Sequence, residues 1–167
     1  QAQPVVQGTG PACEGGSITL TVATYAGANV TYDWSTPSGT NAGISGIGTN
    51  QIIISPVDNA THEGIYTVSI EVDGCALTAT YNVVVFDNPV ASAVYMSTDS
   101  CNGGDIVLEG TGSGIEPLTY QWSGPNGFIS TEDTIKINNI SAQNAGVYTL
   151  NIADANGCVS STKSLTI

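Results

Sequence analysis

The sequence predicts an all-β protein built as two β-sandwich domains in tandem, residues 1–87 and 88–167, and three observations lead there. The first is an internal repeat. C-E-G-G-S-I-T-L at 13–20 and Y-D-W-S-T-P-S-G at 32–39 return as C-N-G-G-D-I-V-L at 101–108 and Y-Q-W-S-G-P-N-G at 120–127, each 88 residues on. That period is the size of a small domain, whereas a solenoid unit of ~20–50 residues cannot bury a core alone. The second is β-branched alternation punctuated by Gly, Asn, Asp and Pro roughly every 8–12 residues. The third is that no segment keeps a helical period over three turns.

Taken in order, a first strand near Val5-Val6 leads into a loop at 8–16 that holds Cys13. Ser17 to Thr24 turns Ile18, Leu20 and Val22 to one face. After a turn at 25–28, Val30 to Ser35 does the same with Val30, Tyr32 and Trp34, because successive strand side chains point to opposite faces. Residues 37–50 are rich in Gly, Ser, Thr and Asn and predict only short or irregular strands. Gln51 to Ser55 is an apolar strand, and 58–64 is a loop. Tyr66, Val68, Ile70 and Val72 alternate along a long strand, Asp73-Gly74 signals a hairpin, and Cys75 to Phe86 returns. The linker Asp87-Asn88-Pro89 is short and proline-stiffened. The second domain repeats the plan with strands at 90–96, 105–111, 118–123, 134–138, 147–153 and 158–167 and a turn at 154–157. Seven short strands, a Trp on the third and a Gly-x-Tyr opening the penultimate one predict the immunoglobulin-like sandwich.

Composition narrows function. Two lysines, Lys136 and Lys163, and no arginine stand against fourteen acidic residues, a net charge of −12. Such a chain repels phosphate backbones and anionic headgroups, which excludes nucleic acid and membrane surfaces as partners. No apolar run approaches the ~18 residues of a membrane span, and no signal peptide is legible, so Gln1 is expected to begin a mature protein or a fragment. Four cysteines, two per repeat and without a C-x-x-C or Cys/His cluster, fit disulfides in an oxidising compartment better than metal ligation.

The motifs C-x-G-G-x-I-x-L, Y-x-W-S-x-P-x-G, A-G-V-Y-T-L and D-A-N-G-C together resemble the tandem immunoglobulin-like or PKD-like repeats of secreted surface adhesins of Bacteroidota, including the gliding-adhesin type. The second domain matches closely. The first departs with H-E-G-I-Y-T-V, V-D-G-C and a longer stretch between Trp34 and Ile52. The resemblance implies a β-sandwich spacer or adhesive stalk at the cell surface, without enzymatic activity in the module. Its partners would be neighbouring modules of the same protein or filament, and surface glycans or other cell-surface proteins.

The cysteines depart from immunoglobulin spacing. Cys13 and Cys101 precede the second strand, while Cys75 and Cys158 follow the penultimate one. Those strands run parallel in the immunoglobulin order, so the two positions lie roughly 20–25 Å apart, against the ~7 Å between Cα atoms that a disulfide tolerates. Two pairings stay open. Counting favours Cys13–Cys75 and Cys101–Cys158 within each domain; the topology favours Cys13–Cys158 across the junction, with Cys75 and Cys101 directed to other modules.

Other candidates have a functional and a structural reading. Trp34 and Trp122 are core markers before they are sugar platforms, since both repeat on a Tyr-x-Trp strand. Tyr66 and Tyr148 are expected to anchor their strands by hydroxyl bonds to nearby backbone. His62, the one histidine, lacks triad or zinc partners and reads as a loop residue. Glu132 and Asp133 are adjacent on a strand and cannot converge as a glycosidase pair. No cofactor is expected. Asp87-Asn88 with the turn at 154–157 are the candidate oxygens for a junctional calcium, but the spacing lacks a calcium-loop pattern and turn formation explains them. Asn29, Asn59 and Asn139 stand in N-glycosylation sequons, and Asp133-Thr134-Ile135 resembles a Bacteroidota O-glycosylation motif on Thr134. The function expected is a structural or adhesive segment of an exported surface protein. The alternative is an accessory carbohydrate-binding or spacer module of a secreted hydrolase, with Tyr25, Tyr95 and Phe128 as scattered platform candidates.

Overall fold

The computed structural model describes residues 3–97 and 103–167. The chain divides into two compact units, Gln1–Asp87 and Asn88–Ile167.

In the first unit the strands are β1 (Val6–Gly8), β2 (Ala12–Cys13), β3 (Ile18–Val22), β4 (Val30–Ser35), β5 (Ile44–Ser45), β6 (Gln51–Ile54), β7 (Gly64–Val72), β8 (Cys75–Val83) and β9 (Val85–Phe86), with one helical turn, α1 (Asn59–His62), before β7. They form a four-stranded sheet β1-β3-β6-β5 and a three-stranded sheet β4-β7-β8. Period-two alternation turns Ile18, Leu20, Ile52 and Ile54 of the first sheet and Trp34, Tyr66, Val68 and Ile70 of the second into one shared core, all buried. The hairpin at Asp73-Gly74 has both residues left-handed (φ 50° and 86°), with Val72 opposite Cys75, the two-residue geometry that suits strand twist. The returning strand breaks at Val84, where the chain leaves β7 and pairs β9 in parallel with β2.

The second unit holds β10 (Val90–Ser97), β11 (Ile106–Ser113), β12 (Thr119–Ser123), β13 (Ile129–Ser130), β14 (Thr134–Ile137), β15 (Val147–Ala153) and β16 (Lys163–Thr166). The sheets are β10-β11-β14 and β13-β12-β15-β16, around Leu108, Trp122, Tyr148, Leu150 and Ile152. Both units thus keep the immunoglobulin-like division of strands but place the short strand that follows the tryptophan strand differently: β5 pairs with β6, whereas β13 pairs with β12.

One expected strand is shorter than its sequence suggests. Residues 158–162 carry a single bridge, Ala153 to Val159, and the regular strand begins at Lys163. Side chains there supplement two backbone bonds, Asp154 N–H to Cys158 O (3.0 Å) and Ser160 N–H to Ile152 O (2.8 Å). Ile152 N–H donates to Ser160 Oγ (3.0 Å), and Asn151 Nδ2 donates to Ser160 O (3.2 Å) and Thr162 Oγ1 (3.1 Å). Among the described residues no helix is long and apolar enough to cross a membrane.

Candidate functional site

The residues that the repeat singles out are the natural candidates for function, and the structure places most of them in bonds that hold the sandwich. In C-x-G-G, Gly15 N–H donates to Val57 O (2.8 Å) and Val57 N–H returns a bond to Gly16 O (3.0 Å). The second unit repeats this pair: Gly103 N–H to Ile140 O (2.8 Å) and Ile140 N–H to Gly104 O (2.9 Å). Each clasp holds a buried side chain, Val57 in the first core and Ile140 in the second unit. In W-S-x-P and G-x-Y, the glycine before the tyrosine strand faces the proline. A Cβ on Gly64 (φ 124°) would lie 2.9 Å from Pro37 Cβ, and one on Gly146 (φ 146°) would lie 2.6 Å from Pro125 Cγ. Positive φ and close approach both demand glycine at these two positions.

The tryptophans and tyrosines divide their polar ends between the units. Trp34 Nε1–H donates to Thr49 O at 2.8 Å, because the longer stretch after β4 brings a carbonyl under the indole. Trp122 lacks that stretch, and its Nε1, fully buried, has no acceptor among the described residues. The tyrosines show the reverse. Tyr148 Oη donates to Asn144 O (3.1 Å), four residues upstream, as expected for an anchored strand start. The expectation fails for Tyr66, whose buried hydroxyl has no partner among the described residues. Burial pushes its pKa up to about 12, and burial also raises that of Tyr148.

His62 is the second correction. It ends α1 rather than lying in an open loop, and it is buried. Its Nδ1 lies 2.9 Å from the Asp58 N–H and its Nε2 lies 2.8 Å from Ala42 O, so the ring donates from Nε2 and accepts at Nδ1. Backbone groups contact both nitrogens, and the hydroxyl beside the ring, Thr61 Oγ1, 3.1 Å from Nδ1, donates to Asp58 Oδ1 (3.1 Å) within the cap of α1. Asp58 caps α1 by accepting from Thr61 N–H (3.1 Å).

The two turns before the last strands differ although both end in cysteine. Cys75 closes the two-residue hairpin and is an exposed free thiol. Cys158 is buried, and its N–H donates to Asp154 Oδ1 (2.9 Å), which also accepts from Asn156 N–H (3.0 Å). Cys13 and Cys158 are both disulfide-bonded. The free Cys75 overturns the pairing of Cys13 with Cys75; strand topology kept those positions apart. Cys101 lies outside the described residues.

The remaining carboxylates build nothing convergent. Asp87 Oδ1 accepts from Asn59 Nδ2 (3.1 Å), and Asp154 serves its own turn. Glu132 and Asp133 are exposed, as is Thr134 at the start of β14. Asp105 pairs with Lys136 (3.2 Å); the Asn139 N–H, then the lysine, hold its carboxyl below the usual range. Among the described residues no group of three or more His, Cys, Asp or Glu is placed to hold a metal ion. Two shallow clefts, of about 430 and 300 Å³, are lined by Gln7, Thr21 and Tyr25 in one and by Asn126, Phe128 and Gln143 in the other. Neither is lined by a carboxylate, imidazole, thiol or amine. Phe128 packs edge-on against Tyr148, with ring centroids 5.5 Å apart, and Tyr25 packs against the first core.

A family model of the PKD-like domain matches residues 1–85. No curated protein sequence matches the chain. Among solved structures, the N-terminal eight immunoglobulin domains of Down Syndrome Cell Adhesion Molecule isoform 1.30.30 superpose at a TM-score of 0.67 and 17% identity, over 99% of this chain and 27% of that one. Murine CEACAM1b aligns at 0.48 and 16%, over 99% and 98%. Three N-terminal domains of the bacteriophage RB49 Highly Immunogenic Outer Capsid protein align at 0.48 and 17%, over 99% and 58%.

Proposed function

Because the chain belongs to the PKD-like domain family, we propose that it serves as a structural and adhesive segment of a larger exported cell-surface protein, of the gliding-adhesin type of Bacteroidota. One observation carries the reading: the repeated motif residues go into clasps, close glycine–proline contacts and core packing, so repetition has kept what holds a sandwich rather than a reactive constellation. The module has no catalytic role in this reading. The bonded state of Cys13 and Cys158 suits an oxidising exterior.

The pairing of Cys13 with Cys158 expected from the sequence belongs to the proposal, and so does glycosylation of Thr134 in the natural host. Non-reducing digestion and mass spectrometry test both: a Cys13–Cys158 peptide and a sugar mass on the Thr134 peptide are expected, and a Cys13–Cys75 peptide or an unmodified Thr134 counts against the respective part. Location has its own test. Cys75 is an exposed thiol, so a membrane-impermeant maleimide should label it on intact cells. Labelling only after lysis overturns the surface assignment.

A further inference from the structure

We propose that the outward face of the β13-β12-β15-β16 sheet is a docking surface for a neutral polysaccharide. Alternation along β12 and β15 buries Trp122, Leu150 and Ile152 on one side and leaves Gln121, Ser123, Thr149 and Asn151 on the other. The pairing is in register across all four strands: Ile129 stands opposite Ser123, Ser123 opposite Thr149, and Thr149 opposite Ser164. At the usual strand spacing that row runs about 14 Å, with the Gln121–Asn151 row about 7 Å away. Ser123 Oγ and Thr149 Oγ1 lie 2.7 Å apart. Hydroxyls and amides both donate and accept, which matches the hydroxyls of a sugar chain. Ile129 (80% exposed) on the edge strand β13 and Val147 (53%) at the start of the inner strand β15 offer apolar contact for the C–H faces of the rings.

Charge selects the partner. No ionisable side chain lies on these outward positions, in a chain of net charge −12. An anionic polymer meets that charge with no arginine and two lysines to offset it. A basic partner is drawn instead to Glu109, Glu132 and Asp133, on and beside the opposite sheet. A second copy brings a further −12. An uncharged polymer of hydroxyls pays none of these penalties. With no aromatic ring among those outward positions, single-site affinity is low. In the first unit Ser35 stands opposite Thr67 and Thr67 opposite Thr80, but the same face carries Asp33 and Glu71, so the neutral row belongs to the second unit.

This binding is separate from the spacer role, which the cell-surface labelling decides. The test is affinity electrophoresis of the intact chain through gels containing galactomannan, amylose or hydroxyethyl cellulose, with alginate as the anionic control. Retardation by at least one neutral polymer and none by alginate is expected. Q121E with S123E should cut it at least tenfold, while T111E on the opposite sheet leaves it unchanged; thermal melting checks that all variants fold. The proposal is overturned by no retardation in any neutral gel, by equal retardation in alginate, by a double variant that binds like the parent, or by sedimentation showing that the face instead joins two copies.

Discussion

Trp34 and Trp122 occupy the same place in two sandwiches, yet among the described residues only the Trp34 indole finds an acceptor, and the difference predicts unequal responses. Replacing either by alanine should cost its own unit about 3–5 kcal/mol, the usual range for a buried large aromatic. Trp34→Ala should fall toward the upper end, because it also strands the Thr49 carbonyl; separate melting of the two units checks both. Tyr66→Phe removes a buried hydroxyl that has no partner among the described residues and is expected to leave the first unit as stable at neutral pH, or more so. It should also change the alkaline limb. With the folded pKa pushed up to about 12 against about 10 unfolded, the unfolded chain loses the proton first. Stability is therefore intact below pH 10 and falls as pH rises towards 12. Tyr66→Phe should flatten that fall, which pH-dependent melting reads. The burial of these rings is legible in the sequence because period-two alternation and repetition both mark it. The partners of their polar ends are not, since each acceptor is a backbone carbonyl whose position depends on a loop path: Thr49 for Trp34, Asn144 for Tyr148.

Elements show the same division between pattern and path. Long strands such as β7 announce themselves through Tyr66, Val68, Ile70 and Val72, and the Asp73-Gly74 hairpin through its turn chemistry. A two-residue strand carries no period, so nothing in Ile44-Ser45 or Ile129-Ser130 reveals which sheet it joins. His62 is hidden for a similar reason: its second partner, Ala42 O, lies twenty residues away on an irregular stretch. His62→Ala should destabilise the first unit by about 1–3 kcal/mol by leaving buried backbone groups without partners, and urea unfolding measures it. The motif glycines give a sharper expectation. Gly64→Ala and Gly146→Ala force a side chain into positive φ and onto a proline ring, and each should cost its own unit about 1–3 kcal/mol. A melting temperature equal to the parent's would mean that the close contact is not needed.

At the scale of the molecule, two units with separate cores share one repeat, and the features common to both are structural. The tandem arrangement is legible from the 88-residue offset alone. The proposed polysaccharide face is not, because a neutral sheet face has no motif: its residues are two apart along each strand and meet only through strand pairing. The central claim is that the chain works as a scaffold, independent of any reactive group. It is tested most directly by replacing residues 1–167 in the proposed parent surface protein with two unrelated immunoglobulin-like domains of equal length and measuring surface display and attachment of the cells. Display is expected to persist at the parental level, with attachment reduced only to the extent that the neutral-polysaccharide face contributes, and restored by grafting that face onto the replacement. Loss of display, or loss of a chemical activity that one polar substitution in this chain also abolishes, would contradict the account.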